Sequence, residues 1–416
     1  MAIALAVLTT VVHPGDSLTP RQRLVYILVL GALTALGPFT IDLYLPAFPV
    51  IETDLQATTA LIQLTLTATA LGFAFGQLLV GPWSDRVGRR LPLIVATSVH
   101  VFASLGVAIA PGIEWLIVFR VLQGAGAAAS GVVAIAIVRD LFGGLPLVRM
   151  LSRLSLVSGL APILAPVIGS QLLLLFPWRG IFVFLAAYGV LVVLAAVFFV
   201  VETRPVERRT DVGHSTMRER YASLFGDRIF VGVAIIAGMS FSGLFAYLSS
   251  SSFLFQQVYG LDPQQFGLLF AINSLGVVGG VQTSAYLARS IAPQWILAAA
   301  VTALLLAASS IVVLDALGAG LLGVLIPLWF FIFACGFTFP LTQALALVNH
   351  GSEAGTAASL LGALNFGLAG LISPLVGVFG ITTAIPMGAI MGCTALVSIV
   401  VLWTVVRPRT VPALSR

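Results

Sequence analysis

Twelve times along this chain a run of about 20 predominantly apolar residues recurs, the length a helix needs to cross the hydrocarbon core of a bilayer. The runs fall near 23–49, 59–82, 92–110, 114–138, 149–175, 180–201, 229–256, 265–288, 293–314, 320–348, 354–379 and 382–406. Only 8% of residues are charged and 59% are hydrophobic, whereas a soluble domain carries about 25% charged residues. A compact soluble body of this composition would expose large apolar patches. Intrinsic disorder is excluded by the apolar content, and the 41 glycines show no collagen-like period. The expected fold is an all-α membrane protein.

Most connections between the runs are short. The exception is 202–228, a polar stretch holding Arg204, Arg208, Arg209, Arg218, Arg220 and Arg228. It divides the spans six and six. The expected organisation is an N-terminal extension at 1–20, disordered or interfacial; a six-helix bundle at 21–201; a cytoplasmic loop at 202–228; a second six-helix bundle at 229–407; and a cytoplasmic tail at 408–416. Residues 1–12 are apolar but too short to span, and they lack a signal peptide's basic region and cleavage site.

An even number of spans puts both termini on one side. With that side cytoplasmic, eighteen of the twenty arginines lie inside; Arg179 lies outside and Arg120 within a span. The positive-inside rule therefore sets the orientation. The net charge of +5 reads as an orientation signal and not as a nucleic-acid surface. Cys335 and Cys393 offer neither a disulfide framework nor metal spacing. No metal site and no cofactor is expected.

The two halves repeat. Gly159-Leu160-Ala161, Pro166 and Gly169 in the fifth span match Gly367-Leu368-Ala369, Pro374 and Gly377 in the eleventh, an offset of 208. Gly72-xxx-Gly76 and Gly276-xxx-Gly280 match at 204. Small residues at this spacing let helix backbones approach. The halves are expected to form two pseudo-symmetric bundles, and sites at repeat interfaces are a mark of secondary transporters.

Two ionisable residues sit deep in spans, Asp42 in the first and Arg120 in the fourth. Such groups are costly there and face a partner or a cavity. Both fall in the outer half of the bilayer and could pair. One reading is a fixed ion pair. The other is a carboxylate that takes up and gives up a proton, burial favouring its neutral form and Arg120 its charged form. Between the second and third spans, Gly76 to Arg90 orders Gly81, Asp85, Arg86, Gly88, Arg89 and Arg90 in a basic turn. Asp85 could pair with Arg139, or face the start of the eleventh helix near Gly355 and Thr356, where the helix dipole favours an anion.

These segments carry a resemblance. Gly76 to Arg90 resembles the helix 2–3 signature of the major facilitator superfamily, and Arg120-xx-Gln123-Gly124-x-Gly126 its helix 4 signature. Ala165-Pro166-xx-Gly169 is similar to the antiporter signature of the drug-exporting branch, with Ala165 and Ser170 where glycines are usual. Ile41-Asp42-x-Tyr44-Leu45-Pro46-Ala47-x-Pro49 resembles helix 1 of the bicyclomycin/chloramphenicol-resistance (Bcr/CflA) drug:proton antiporters, as do Ser240–Ser249 and Gly355–Ser359 in their own helices. The resemblance covers about residues 20–407. It implies export of small apolar or cationic toxic compounds in exchange for protons. It further implies that Asp42 carries the proton in an environment shaped by Arg120 and Gln123. Thr34 stands where some related exporters have a second acid. By this resemblance the chain sits in a bacterial cytoplasmic membrane as a monomer, with small molecules, protons and lipid as its partners.

Phe241, Phe245 and Tyr247, with Phe253 and the run Ser249–Ser252, suit a forgiving apolar pocket or simple packing. Tyr44, Asn273, Gln343 and Asn365 are further candidates for the cavity wall, and the last three could equally hydrogen-bond between helices. His100 reads as structural or as a proton relay. Pro162 and Pro166 suggest a hinge or a fixed kink in the fifth helix. A metabolite symporter of the same fold is the alternative function. A membrane-embedded enzyme lacks its expected clusters: His13, His100, His214 and His350 are far apart in sequence. No phosphate-binding GxxxxGK[ST] loop is present.

Overall fold

The computed structural model describes residues 14–204, 217–350 and 354–411. Among these residues the regular structure is helical throughout, and twelve helices are long and apolar enough to cross a membrane. They are α1 (Pro20–Asp42), α2 (Thr59–Val87), α3 (Arg90–Ala108), α4 (Ile113–Leu141), α5 (Gly144–Leu175), α6 (Arg179–Phe199), α7 (Arg228–Phe253), α8 (Pro263–Leu287), α9 (Pro293–Ala316), α10 (Gly320–Ala346), α11 (Ala354–Ile372) and α12 (Ile385–Val401).

Local chemistry sets the ends. Thr19 and Gln22 form a capping box ahead of α1, Asp262 and Gln265 do so for α8, and Pro20 and Pro263 open these helices. Asp227 caps α7 through the Ile229 amide. Gly88, at φ 107°, stops α2 in a conformation that other residues rarely adopt.

The helices depart from the expected spans in three informative places. The first span breaks at Asp42, followed by a 3₁₀ turn at Leu45–Ala47 and a short helix at Phe48–Asp54. Pro46 and Pro49 lack the N–H groups that would continue the ladder. Conversely, the basic turn after the second span is mostly helix: α2 runs through Pro82 to Val87, so Gly81, Asp85 and Arg86 lie on it. The eleventh span divides before Pro374 into α11 and Leu375–Val378.

The expected extension is also not wholly separate. Pro14–Ser17 forms a 3₁₀ turn, and Gly15 lies against Phe142 at the end of α4. Residues 1–13 lie outside the described ones. In the central stretch, Met217–Gly226 is a helix; Arg208, Arg209 and His214 lie outside the described residues.

The helices pack as two bundles with one pattern. In the first, α2 crosses α4, α3 packs on α4 and α6, and α1 on α5; in the second, α8 crosses α10, α9 packs on α10 and α12, and α7 on α11. Glycine makes the central crossings possible. A Cβ on Gly72 would strike the Val121 carbonyl, and one on Gly124 the Thr69 carbonyl. Gly280 and Gly336 meet Phe333 and Val277 in the same way across α8 and α10. The halves meet along two seams, α2 against α11 and α5 against α8. These seams exchange under the repeat.

Candidate functional site

Between the bundles lies a cavity of about 980 Å³. Its wall is apolar, with Phe73, Phe241, Phe245, Phe270 and Phe366 among its residues. It runs along α5 past Ser155 to Val148 and along α8 to Gln282, toward the end that carries the arginine-rich loops. Four glutamine side chains bind the halves, or the seams between them, nearer the other end. Gln63 donates to the Ser249 carbonyl (3.0 Å), Gln256 to the Pro46 carbonyl (3.1 Å), Gln257 to Glu52 (2.8 Å) and Gln264 to the Ser170 carbonyl (2.9 Å).

Asp42 lines this cavity at the broken end of α1 and is 5% exposed. Among the described residues it is the one acidic side chain of the wall. The expected Asp42–Arg120 pair is not formed. Arg120 is fully buried, and its Nη1 donates to the Thr40 carbonyl (2.9 Å) and to Gln123 Oε1 (2.6 Å). Its guanidinium lies 3.9 Å from the centre of the Tyr44 ring and 5.7 Å from that of Phe182, so π-faces take up part of its charge. The unwound turn after Asp42 presents Tyr44 to the arginine, which is why the cation settles beside the carboxylate's own helix and not on the carboxylate.

The arginine belongs to a buried network. Gln123 Nε2 donates to Ser104 Oγ (2.7 Å), and Ser104 Oγ donates to the His100 carbonyl (2.7 Å). Thr40 Oγ1 donates to the Leu36 carbonyl (2.6 Å), so its 2.9 Å contact with His100 Nε2 makes the imidazole the donor there. Tyr44 OH meets Thr65 Oγ1 at 3.1 Å, and Thr65 already donates to the Ile62 carbonyl. Arg120, Gln123 and His100 therefore fix the last turn of α1 and present Asp42 to the cavity.

Of the other expected wall residues, Phe241, Phe245, Tyr247 and Asn273 are in place, and Asn273 donates to Tyr247 OH (3.1 Å). Tyr44 is not on the wall; it is buried under Arg120. Gln343 is exposed and lies off the wall. Asn365 is half-buried in α11 and also off it, although its neighbour Phe366 lines the cavity. Ser249–Ser252 are all buried, and Ser249, Ser250 and Ser251 turn back to main-chain carbonyls of α7. Phe253 packs in the core against Phe48.

The proline-containing α5 is continuous over its 32 residues. Pro166 cannot donate to the Pro162 carbonyl four residues back. Ser274 Oγ of α8, which donates to the Phe270 carbonyl (2.9 Å), lies 3.4 Å from that carbonyl across the seam. Pro162 lines the cavity, and Gly169 lies against the Leu43 carbonyl just beyond Asp42.

At the arginine-rich end, Arg89 organises the expected gate. It is 5% exposed and donates to Asp85 (2.8 Å), Asp140 (2.8 Å) and Ser84 (2.8 Å). Burial works against its charge, but Asp140 and Asp85 outweigh it and hold the pKa above the usual arginine value. Asp85 pairs with Arg89 and Arg204 (3.2 Å), not with Arg139, which points outward. Among the described residues no hydrogen bond or ion pair joins Asp85 to the start of α11. Arg90 donates its amide to Glu202 (3.3 Å) and its Nη2 to the Val197 carbonyl (2.6 Å). Arg86 is exposed, and Gly81 has open space where a Cβ would stand. Asp140, in the last turn of α4, and Glu202, just past the end of α6, carry no mark in the sequence of which base they will meet. Arg179, the arginine at the far end, is neutralised by Asp54 (2.5 Å), which also accepts from Trp178 (2.9 Å).

The Major Facilitator Superfamily profile matches residues 28–374. An uncharacterized MFS-type transporter, YdgK of Bacillus subtilis, is 39% identical over 381 residues, covering 91% of this chain and 94% of that one. A bicyclomycin resistance protein homolog of Haemophilus influenzae is 30% identical over 379 residues (91% and 95%). Multidrug resistance protein MdtL of Klebsiella pneumoniae is 30% identical over 392 residues (92% and 96%). Among solved structures, a bacterial homolog of the human lysosomal transporter Spinster, inward-facing and unoccupied, superposes with a TM-score of 0.73 at 15% identity, covering 94% of this chain and 98% of that one. A D-xylose–proton symporter gives 0.72 at 15% (94% and 99%), a likeness of fold alone. In sequence, repeat architecture and packing alike, the chain belongs to the major facilitator superfamily of membrane transporters.

Proposed function

We propose that this protein is a proton-coupled exporter of small apolar or cationic toxic compounds. It works by alternating access in a bacterial cytoplasmic membrane, with both termini and the arginine-rich loops in the cytoplasm. The observation that carries this reading is the single acid of a large apolar cavity between two repeated bundles. Asp42 has no hydrogen-bond or ion-pair partner among the described residues, while Arg120 is engaged elsewhere. The names of the drug-resistance relatives support the choice of cargo.

In this orientation the cavity faces the cytoplasm and the glutamine contacts close the outer end. Asp42 carries the proton, and Arg120 with Gln123 shapes its surroundings. Phe241, Phe245, Tyr247 and Asn273 contact cargo. The α5 segment Pro162–Pro166–Gly169 bears on the seam and on the break in α1. Asp85, Arg89 and Arg90, with Gly81, Arg86, Gly88 and Arg139 around them, steady the inner end. The working units are the bundles at 21–201 and 229–407 in a single copy of the chain, joined by the loop at 202–228.

The test uses acidified inverted membrane vesicles with a pH-sensitive dye and a panel of antibiotics and cationic dyes. A compound that raises luminal pH with wild type and not with Asp42→Asn, at equal protein in the membrane, is the expected outcome. Normal uphill export by Asp42→Asn would remove the proton role. A response only to metabolites in right-side-out vesicles would replace export by symport.

A further inference from the structure

Two polar groups of the cavity wall, on opposite bundles, each have an open hydrogen-bond position among the described residues. The acceptor is the Asp42 carboxylate of α1. The donor is the Tyr247 hydroxyl of α7. Asn273 Nδ2 donates into that oxygen at 3.1 Å, which occupies a lone pair and leaves the phenolic proton to be given elsewhere. No described residue accepts it. Tyr247 is 1% exposed, and its ring is stacked on Phe270 with centroids 5.7 Å apart and planes at 22°. The ring has little room to swing, so the hydroxyl keeps its place on the wall it shares with Asp42.

The other charged or titratable groups near Asp42 lie off the cavity wall. On α4, Arg120 Nη1 serves Thr40 and Gln123, while its Nε and Nη2 have no hydrogen-bond partner among the described residues and the guanidinium lies over the Tyr44 ring. On α3, His100 Nε2 serves Thr40 and its Nδ1 has no partner among the described residues. Tyr44 OH meets Thr65, and Tyr188 of α6 donates to the Ala32 carbonyl (2.8 Å). The stretches of α2, α5, α8, α10 and α11 that line the cavity contribute no ionisable side chain.

We propose that Tyr247, positioned by Asn273, is the residue through which the C-terminal bundle reads the charge of Asp42. This rests on the proton role proposed for Asp42 above. A charged carboxylate in an apolar wall needs a donor, and a hydrogen bond to a charged acceptor is about twice as strong as one between neutral groups. A hydrogen bond from Tyr247 to Asp42, formed when the carboxylate is charged and absent from this structure, ties α1 to α7 in that state. Protonation replaces the charged acceptor with a neutral carboxyl and loosens the tie. The bundles are then freer to move relative to one another. Tyr247 thus acts on coupling and not only on fit to cargo.

The test needs no cargo. The full-length protein, reconstituted in lipid, is titrated while the infrared band of a protonated carboxyl is followed; the Asp42 signal is the part missing from Asp42→Asn. Tyr247→Phe keeps the ring on Phe270 and removes only the hydroxyl. The midpoint is expected to move to higher pH by about one unit, a tenfold gain in proton affinity, because the charged form has lost a donor. Asn273→Ala, which leaves the phenol in place, moves it the same way by less. Thermal unfolding of each variant checks that the fold is kept. An Asp42 band that titrates identically in wild type and Tyr247→Phe overturns this inference alone. The absence of any titrating Asp42 band overturns the proton role as well.

Discussion

Gly169 of α5 lies against the carbonyl oxygen of Leu43, the residue that follows Asp42 at the break in α1. The contact is backbone to backbone, and any side chain at 169 would push on the turn that presents the acid. Gly169→Ala is expected to destabilise the protein by about 1–3 kcal/mol, as overpacking of a tight interior does. It should also reduce export more than the loss of folded protein explains. Thermal unfolding and vesicle transport on the same preparation separate the two effects.

Arg89 sits between Asp85 and Asp140 and is nearly inaccessible. Arg89→Ala leaves two acids facing each other at the inner end, at a cost of about 2 kcal/mol given that Asp85 is half exposed. Arg89→Lys should recover only part of it, because one ammonium cannot reproduce the guanidinium's fork. Melting temperatures of the three proteins in detergent give the order: wild type above lysine above alanine.

Gln63 donates to the Ser249 carbonyl and packs against Gly377, joining α2 to the second bundle near the outer end. Gln63→Ala removes that bond and should shift the population toward the outward-open form. A cysteine placed at Ser249 in the Gln63→Ala background should react with a membrane-impermeant thiol reagent from outside. The same cysteine beside an intact Gln63 should react at least severalfold more slowly. Equal rates would show that Gln63 does not hold the closure.

Asp227 caps α7 and accepts from Ile229 N (2.8 Å), Asn349 (3.0 Å) and His350 (3.1 Å). Burial pushes its pKa up, but these bonds outweigh burial and the value lies below the ordinary aspartate. A lowered folded pKa stabilises above the unfolded value and loses that contribution as pH falls through the folded one. Asp227→Ala should therefore cost about 1 kcal/mol at neutral pH. The gap between variant and wild type should narrow as pH falls below the ordinary aspartate range and Asp227 takes up its proton, which melting curves across pH would reveal.

Helix count, the six-and-six division and the repeat were legible because hydrophobic run length and glycine spacing are local or periodic signals. Gly72, Gly76 and Gly280 sit at tight crossings as their spacing implied, whereas Gly276 leaves ordinary contact distance to Trp329 and Phe333. Asp42 was legible for a similar reason: an acid in an apolar run is conspicuous. Its partner was not. Whether Arg120 meets Asp42 or Thr40 depends on how the chain turns after Asp42, and that turn is packed against Gly169 in another helix. Gln63, Gln256, Gln257 and Gln264 were passed over in favour of Gln343. A neutral amide in a span is unremarkable until the opposing carbonyl is known, and those carbonyls belong to other helices.

The glycine crossings have a mechanical result. With α2 and α4 touching at their backbones, and α8 and α10 likewise, neither bundle has slack in its middle. In the alternating access proposed above, each bundle is then expected to turn as one stiff lever, with the α2–α11 and α5–α8 contacts as the common bearing. The length of the stroke would be a property of that bearing, the same for a small passenger as for a bulky one.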